Sequence, residues 1–254
     1  MQLRGARILI SNDDGINSPG LKVLEKIAKS FSPDVWVVAP EREKSASGHS
    51  LTINLPLRVR KINGRKFAVD GTPADSVLVA VQHLMMEKKP DLVLSGINAG
   101  GNLGEDIAYS GTVAAAMEGT LLGIPAIALS QARVYGEKVR WEASLQHGPR
   151  IIRKITQEEW PKNVLINVNF PDLPAKKIGG TQITFQGRRK IGDKIREGRD
   201  PRGYDYLWIG NERREDPSLP GSDLKAVNEG RISITPLCLD LTHRPTMAAF
   251  RRVF

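Results

Sequence analysis

The sequence predicts an α/β fold in which a doubly wound, mostly parallel sheet is followed by a C-terminal β-hairpin extension. Three observations carry this prediction. Short apolar segments alternate with segments of helical periodicity over roughly the first 170 residues, and polar residues cluster where the apolar segments end. Farther on, alternating apolar and polar residues with Gly- and Pro-rich spacers replace that pattern. Because strands that alternate with helices favour a parallel sheet, we expect a Rossmann-like architecture.

The first 30 residues contain a predicted strand and a predicted helix. Residues 8–10 (Ile-Leu-Ile) are apolar throughout, as in a strand that is buried on both faces. Ser18 is a favourable N-cap residue and Pro19 suits the first helical position. Apolar residues then recur at helical spacing up to Ser30, so this segment predicts one strand-loop-helix unit.

The same pattern continues along the chain. Thr72 predicts a second N-cap, Pro73 fits the first turn, and Asp75 is placed to interact with the positive helix end. This helix is expected to run to about Met86. The other predicted elements, in chain order, are a strand at 35–38, a hairpin at 57–60 and 67–69, a strand at 92–94, a glycine-rich loop at 95–104, a helix at 113–122, a strand at 126–129, a helix at about 143–155 and a strand at 164–168.

The C-terminal part has a different pattern. Alternation returns at 183–185, 204–209 and 232–234, with charged spacers between these segments. Exposed strand edges that carry aromatic residues favour pairing with another subunit, so we expect oligomer contacts here. Folding of this part back onto its own domain is the alternative. We therefore predict a single α/β domain over 1–254, with a core of about 1–170 and an oligomerisation extension of about 171–254.

Composition excludes several classes of protein. The chain has 254 residues, enough for a large core, and Cys238 is its only cysteine. An internal disulfide and a cysteine-based zinc cluster are therefore impossible, and a cytoplasmic location is expected. No apolar run approaches the roughly 20 residues of a membrane span, and the N-terminus does not resemble a signal peptide, so no membrane association is predicted.

The formal net charge of +9 favours anionic partners without naming one. The sequence has no zinc finger, RNP signature or heptad-linked basic region, so specific nucleic-acid binding is not expected. A solvated or phosphate-steering role is the preferred interpretation. Much of the excess charge lies in the extension and the tail, at Arg188, Arg189, Lys190, Lys194, Arg196, Arg199, Arg202, Arg251 and Arg252.

Two adjacent carboxylates follow the first predicted strand. Asp13 and Asp14 lie in Ser-Asn-Asp-Asp-Gly at 11–15. An open α/β sheet binds its ligand at the carboxyl ends of its strands, so these side chains lie where a site is expected. A hard divalent cation would relieve their repulsion. The alternative is turn chemistry alone, because Asn, Asp and Gly are common turn residues.

Two further strand-end loops are rich in oxygen ligands. The second loop contains Ser45, and the glycine-rich loop contains Asn98 and Asn102. Two carboxylates with neutral side-chain oxygens suit Mg²⁺, Mn²⁺ or Ca²⁺ better than zinc, which favours His and Cys. The sequence therefore predicts one divalent cation held by loops that meet at one edge of the sheet, and no organic cofactor is expected.

The residues around the predicted helix at 113–122 favour phosphate binding. Ser110, Gly111 and Thr112 begin that helix, where backbone N–H groups and hydroxyls can hold an anion. The preceding glycines allow close backbone approach. This is not a P-loop, because no Gly-Lys-Ser/Thr closes it, and the glycine spacing is not the dinucleotide fingerprint. A purely structural role for these residues is the alternative.

Five motifs in order make the chain resemble a known family. They are Ser-Asn-Asp-Asp-Gly at 11–15, Ser-Ala-Ser-Gly-His-Ser at 45–50, Gly-Thr-Pro-Ala-Asp at 71–75, Ser-Gly-Ile-Asn-Ala-Gly at 95–100 and Tyr-Ser-Gly-Thr-Val at 109–113. Together they resemble the stationary-phase survival protein E (SurE) family of metal-dependent nucleotidases. The resemblance is dense over about the first 130 residues and looser at 200–203 and 236–240.

The resemblance implies a function and a set of site residues. It implies hydrolysis of nucleoside 5′- and 3′-monophosphates, action on short polyphosphate in some members, and a homodimer or homotetramer. It implies that the metal ligands are Asp13, Asp14, Ser45 and Asn98, with the two aspartates also catalytic. The predicted phosphate- or substrate-binding residues are Asn12, Gly48, His49, Asn102, Ser110, Gly111 and Thr112.

Several alternatives remain open at this point. Attack on phosphorus by a cation-activated water is the favoured mechanism, and an aspartyl-phosphate intermediate is the competing one. His49 can assist the leaving group or be a hydrogen-bonded structural residue. A non-catalytic nucleotide sensor would use the same site. A basic nucleic-acid-binding protein would show steep salt dependence of binding.

Overall fold

A nine-stranded sheet forms the centre of the molecule. The computed structural model describes residues 1–191, 194–210 and 213–254. The strands of the sheet are β1 (Ile8–Ser11), β2 (Val35–Pro40), β3 (Val59–Asn63), β4 (Lys66–Val69), β5 (Leu92–Ala99), β6 (Ala126–Gln131), β7 (Val164–Phe170), β8 (Thr181–Ile183) and β13 (Ile232–Cys238). Their order across the sheet is β3-β4-β2-β1-β5-β6-β7-β13-β8.

The central strands of this sheet are parallel. The six strands β4, β2, β1, β5, β6 and β7 all run parallel to one another. At one side β3 is antiparallel to β4, and at the other β13 is antiparallel to β7. The predicted mostly parallel α/β sheet is therefore confirmed, and so is the predicted hairpin, formed by β3 and β4.

Helices cover both faces of the sheet, as a doubly wound fold requires. Leu24 and Ile152 pack in one buried cluster, and Val77 and Val113 pack in the cluster on the other face. Among the described residues, none of the helices is both long and apolar enough to cross a membrane. The helices are α1 (Pro19–Lys29), α2 (Pro73–Val79), α3 (Gly111–Leu121), α4 (Glu142–Gln157), α5 (Asp223–Asn228) and α6 (Arg244–Phe250), with short 3₁₀ turns at Gly104–Ala108 and Ala175–Lys177.

The predicted caps of the first two helices are confirmed. The Ser18 hydroxyl accepts a hydrogen bond from the N–H of Leu21, and Thr72 and Asp75 form a reciprocal capping box. The end of α2 differs from the prediction, because the chain continues after Val79 as a π-helical turn, Ala80–Leu84. The helical segment therefore stops before Met86.

The strand predicted at 92–94 is longer than expected. β5 continues to Ala99, into the segment that was predicted as loop. Its pairing with β6 shifts register between Ser95 and Asn98. Gly96 has φ +129°, and a Cβ there would lie 2.2 Å from the carbonyl oxygen of Leu129. Glycine therefore permits close strand approach here rather than a turn.

The C-terminal part contributes to the sheet and also forms an arm. β13 lies between β7 and β8, so part of the predicted extension completes the central sheet. Phe185, predicted in a strand, lies beyond the end of β8. The arm is defined here as residues 188–191, 194–210 and 213–216. Its strands are β9 (Arg188–Ile191), β10 (Ile195–Arg199), β11 (Asp205–Ile209) and β12 (Arg213–Asp216), with β9 antiparallel to β12 and β10 antiparallel to β11.

Candidate active site

A cavity of about 930 Å³ opens at the carboxyl ends of the parallel strands. It is larger than the concavities beside α6, about 530 Å³, and beside the N-terminus, about 500 Å³. This is the position expected for the ligand of an open α/β sheet. Its lining includes six polar residues from strand-end loops, which are called the floor here: Asp13, Asp14, Ser45, Asn98, Asn102 and Ser110.

Asp13 is held in place by the start of α3. Its carboxylate is almost fully buried, and the hydroxyl of Thr112 donates a hydrogen bond to its Oδ1. Burial raises the pKa of Asp13 to about 6; the charge of Asp14 also raises it, whereas the Thr112 hydrogen bond opposes the rise. Close approach of α3 depends on Gly111, since a Cβ there would lie 2.7 Å from the Cβ of Asp13.

Asp14 is half-buried beside the end of β5. Its Oδ2 accepts a hydrogen bond from the backbone N–H of Ala99 at 3.2 Å. Burial raises the pKa of Asp14, and the negative charge of Glu43 adds to the rise, whereas the Ala99 hydrogen bond and the positive charge of Arg133 oppose it. Two neighbouring carboxylates are therefore kept in an environment that disfavours their charged forms.

Neutral oxygen groups complete this end of the cavity. The amide nitrogen of Asn98 donates to the carbonyl oxygen of Gly100 at 2.8 Å. The side-chain oxygen of Asn98 is therefore the group left to bind a ligand. The Ser45 hydroxyl donates to Oε1 of Glu43 at 2.8 Å, so its lone pairs remain available as acceptors.

These residues fit a hard divalent cation. Across the described residues, no lysine, arginine or histidine is within ion-pair distance of Asp13 or Asp14, so the longer-range charge of Arg133 offsets the charge of this acidic pair only in part. Burial of an uncompensated charge is costly. Nor do the described residues contain any group of three or more His, Cys, Asp and Glu side chains suited to a metal. The available ligands are two carboxylates and two neutral oxygens, which suit Mg²⁺, Mn²⁺ or Ca²⁺.

The predicted phosphate residues form the adjoining part of the floor. Ser110 is the N-cap of α3, and its hydroxyl accepts from the N–H of Val113 at 3.0 Å. Asn102 is fixed by Asn169 and Ser130, at 2.8 and 2.9 Å. The N-terminus of the 11-residue helix α3 therefore meets the carboxylates, so an anion and a cation can be held side by side.

Five of the predicted substrate-binding residues, Asn12, Gly48, His49, Gly111 and Thr112, are not among the residues that line the cavity. Thr112 is fully buried and bonds to Asp13 instead. Asn12 is also buried; its amide nitrogen donates to Gly15 and Ser18, which shapes the turn after β1. Hydrogen bonds within the protein therefore occupy both side chains, and their direct contact with substrate stays a prediction.

Gly48 and His49 also contact other parts of the protein and do not line the cavity. The N–H of Gly48 donates to the carbonyl oxygen of Tyr109 at 3.1 Å. His49 Nε2 lies 2.8 Å from Oε2 of Glu118, a buried acid on α3. The loop that carries Ser45 is therefore attached to the start and the middle of α3. This contact favours the second of the two roles considered for His49, that of a hydrogen-bonded structural residue.

The cavity also contains charged residues that sequence reasoning did not select. Glu43 and Arg133 lie close enough to Asp14 to shift its pKa. Lys190 also lines the cavity, together with the aromatic ring of Tyr109. Arg133 follows the end of β6, so the strand-end rule could have identified it. Lys190 belongs to the arm, and no local signal in the sequence places the arm at the cavity.

Buried polar contacts attach the arm and α5 to the glycine-rich loop. Asp223 is fully buried and accepts hydrogen bonds from the N–H groups of Gly104 and Gly187, at 2.9 and 2.8 Å. Arg189 Nε lies 3.1 Å from Oδ2 of Asp106, and both side chains are nearly buried. These contacts place β9 against the cavity wall.

The fold and the cavity together define an open-sheet α/β protein that binds its ligand at the carboxyl ends of parallel strands. Comparison with known proteins is more specific. The family model described as "Survival protein SurE" matches residues 8–193. A solved structure, that of a SurE protein from Aquifex aeolicus, superposes with a TM-score of 0.84 at 43% identity and covers 97% of this chain and 98% of that one.

Two curated relatives match over nearly their whole length. A protein named 5′-nucleotidase SurE from Paramagnetospirillum magneticum is 63% identical over 98% of this chain and 95% of that protein. A protein of the same name from Rhodospirillum rubrum is 54% identical over 99% of this chain and 97% of that protein. The chain belongs to the SurE family, which confirms the resemblance predicted from the five motifs.

Proposed function

We propose that this protein is a 5′-nucleotidase that hydrolyses nucleoside monophosphates to nucleoside and phosphate. The names of its relatives in two organisms support this activity. The main observation behind the proposal is that polar residues from separate strand-end loops line one cavity. These residues are Asp13, Asp14, Ser45, Asn98 and Ser110. An acidic pair beside a helix N-terminus suits a substrate that is both a phosphate and a ligand of a cation.

One divalent cation per subunit, Mg²⁺ or Mn²⁺, is part of the proposal. Asp13, Asp14, Ser45 and Asn98 would hold it, and Ca²⁺ would suit the same oxygen ligands. When bound, such an ion polarises a phosphoryl oxygen and lowers the pKa of a coordinated water. Removal of the ion should therefore remove activity, and its return should restore it.

The chain's own residues have distinct roles in this proposal. The hydroxyl of Ser110 and the first N–H groups of α3, including that of Gly111, bind the phosphate and stabilise the charge of its transition state. Asp13 and Asp14 position the attacking water, and one of them accepts its proton. A water oxygen forms the new bond to phosphorus, the ester bond breaks, and the nucleoside oxygen leaves with a proton. Thr112 positions Asp13.

Phosphate release is the direct test. AMP and GMP are incubated with purified protein in EDTA, and Mg²⁺ or Mn²⁺ is then restored. We expect release only with the ion, and a loss of about 100-fold or more in Asp13→Asn and Asp14→Asn, because each removes a charged ligand. Glu137→Gln, an exposed acid outside the cavity, serves as the control. Tight AMP binding without phosphate release would instead indicate a nucleotide sensor.

A covalent aspartyl-phosphate is the competing route. It is separated from direct water attack by acid quenching during turnover of ³²P-labelled AMP. Label retained on the precipitated wild-type protein and lost in Asp13→Asn or Asp14→Asn would support the covalent route. Label found only in free phosphate supports water attack, the mechanism proposed here.

The proposal extends to 3′-monophosphates, short polyphosphate and a homodimer or homotetramer. The family resemblance supports hydrolysis of 3′-monophosphates and of short polyphosphate. Exposed aromatic side chains on the arm support self-association. The same phosphate assay with 3′-AMP and tripolyphosphate tests the activities. Light scattering tests the assembly, and a monomeric mass across the working concentration range would refute it.

A further inference from the structure

The cavity extends well beyond its phosphate-sized floor. Its volume of about 930 Å³ lies at the upper end of the range for small-molecule pockets, about 300–1,000 Å³. Beside the floor residues, Tyr109 and the arm residues Lys190, Ile195 and Ile209 also line the cavity, and these four are called the wall here. A substrate whose phosphate lies at the floor would therefore extend toward that wall.

Tyr109 and Lys190 form one half of this wall. The ammonium group of Lys190 donates a hydrogen bond to the Tyr109 hydroxyl at 2.8 Å and lies 4.7 Å from the centre of its ring. Tyr109 directly precedes Ser110, so its ring borders the proposed phosphate site. An ammonium has three N–H donors, of which this contact uses one. The pair therefore offers an aromatic surface with a donor at its edge.

Ile195 and Ile209 form the other half. They face each other across the first register position of β10 and β11 and remain 61% and 76% exposed. Both line the cavity, although the floor beneath them is polar. Two large apolar side chains that stay exposed at the mouth of a polar cavity suit a flat, partly apolar ligand group.

We propose that Tyr109, Lys190 and the Ile195–Ile209 pair bind the nucleoside portion of the substrate. This inference rests on the proposed nucleotidase function and assigns the selection of the nucleoside to the arm. The base packs against the aromatic and apolar side chains, and Lys190 donates a hydrogen bond to an acceptor on the base. Ile195 and Ile209 offer no hydrogen-bond donor, so this part of the wall suits a base better than a further phosphate group.

The test compares substrates that differ only in the base. Hydrolysis of AMP and of ribose 5-phosphate is measured for wild type, Tyr109→Leu, Lys190→Met and Ile209→Ser. Because a base gains affinity by stacking on an aromatic side chain, we expect kcat/KM for AMP to fall about 10-fold in these variants, mainly through KM. Hydrolysis of ribose 5-phosphate should change less than about twofold, since it lacks the group that the wall binds.

Arg188→Met provides the matched control. Arg188 lies on the same strand as Lys190 and is exposed, but it is not part of the cavity wall. We expect its kinetics to match those of wild type for both substrates. Equal losses with AMP and ribose 5-phosphate in the wall variants would overturn the proposal, because they would indicate a role in phosphate binding or in folding.

Binding of adenosine gives a readout that does not need catalysis. Equilibrium dialysis should show adenosine bound by wild type and by Arg188→Met, with affinity about 10-fold weaker in Tyr109→Leu and Lys190→Met. If no substrate is hydrolysed but adenosine binds in this pattern, the proposed function fails and the wall assignment stands. If adenosine does not bind wild type, or binds all variants equally, the wall assignment fails.

Discussion

At the scale of single residues, the site depends on how Asp13 is oriented. Thr112 is fully buried and donates to Asp13, so it fixes the carboxylate without lining the cavity. Thr112→Val should weaken activation by Mn²⁺ about 10- to 100-fold, as loss of a ligand's hydrogen-bond partner commonly does. The measurement is a Mn²⁺ titration of phosphate release. Thr112→Ser, which keeps the hydroxyl, should stay near wild type, and equal effects in both variants would contradict the role of the hydroxyl.

The raised pKa of Asp13 predicts how stability varies with pH when no cation is bound. In the folded protein the pKa of Asp13 is about 6, compared with an ordinary value of 3.8. The folded protein therefore binds this proton at pH values where the unfolded chain has lost it. Its contribution to stability is therefore complete below about pH 3.8 and is lost as pH rises through about 6. Urea unfolding in EDTA should show wild type losing up to about 3 kcal/mol relative to Asp13→Asn across this window. Parallel pH profiles for the two proteins would contradict this expectation.

At the scale of elements, the arm and the glycine-rich loop share one buried acceptor. Asp223 accepts hydrogen bonds from the N–H groups of Gly104 and Gly187. Asp223→Ala would leave both donors unsatisfied, and each buried unsatisfied group costs about 1–3 kcal/mol. We expect the free energy of unfolding, measured in urea, to fall by about 2–4 kcal/mol. Glu229→Ala, at the exposed end of the same helix, should change it by less than about 0.5 kcal/mol.

Elements that depend on local chemistry could be predicted from the sequence. Ser18 and Thr72 bind N–H groups within their own first turn, so their caps follow from neighbouring residues alone. The length of β5 could not be predicted in this way. Gly96 resembles a turn signal in the sequence, yet its role is to let β5 and β6 approach closely, which only the neighbouring strand reveals.

At the scale of the whole molecule, the arm is expected to mediate self-association. Trp208 is 66% exposed on β11, and strand alternation places it on the face opposite to Ile209. Trp208→Ser should therefore shift the oligomer toward monomer, with a dissociation constant at least about 10-fold higher, because truncation of a central aromatic anchor is costly. Sedimentation equilibrium measures this constant. Ile53→Ser, at another exposed apolar site, should leave it unchanged.

The site was predictable only where topology alone determines it. Carboxyl ends of parallel strands meet at one edge, so Asp13, Asp14 and Asn98 could be placed together from chain order. The wall depends on where the arm lies, and contacts across long stretches of sequence determine that position. Lys190 meets Tyr109 from 81 residues away, and no local pattern encodes such a contact.

The cavity combines two parts of the chain, an acidic floor at the ends of the strands and a wall to which the arm contributes Lys190, Ile195 and Ile209. This arrangement has a consequence for inhibitor design. A compound confined to the floor would meet the same groups in any protein that shares those ligands. A compound extended to Ile195 and Ile209 would discriminate between proteins that share the floor and differ in the arm. The selectivity of an inhibitor should therefore come from contacts with Ile195 and Ile209, and its affinity from contacts with the floor.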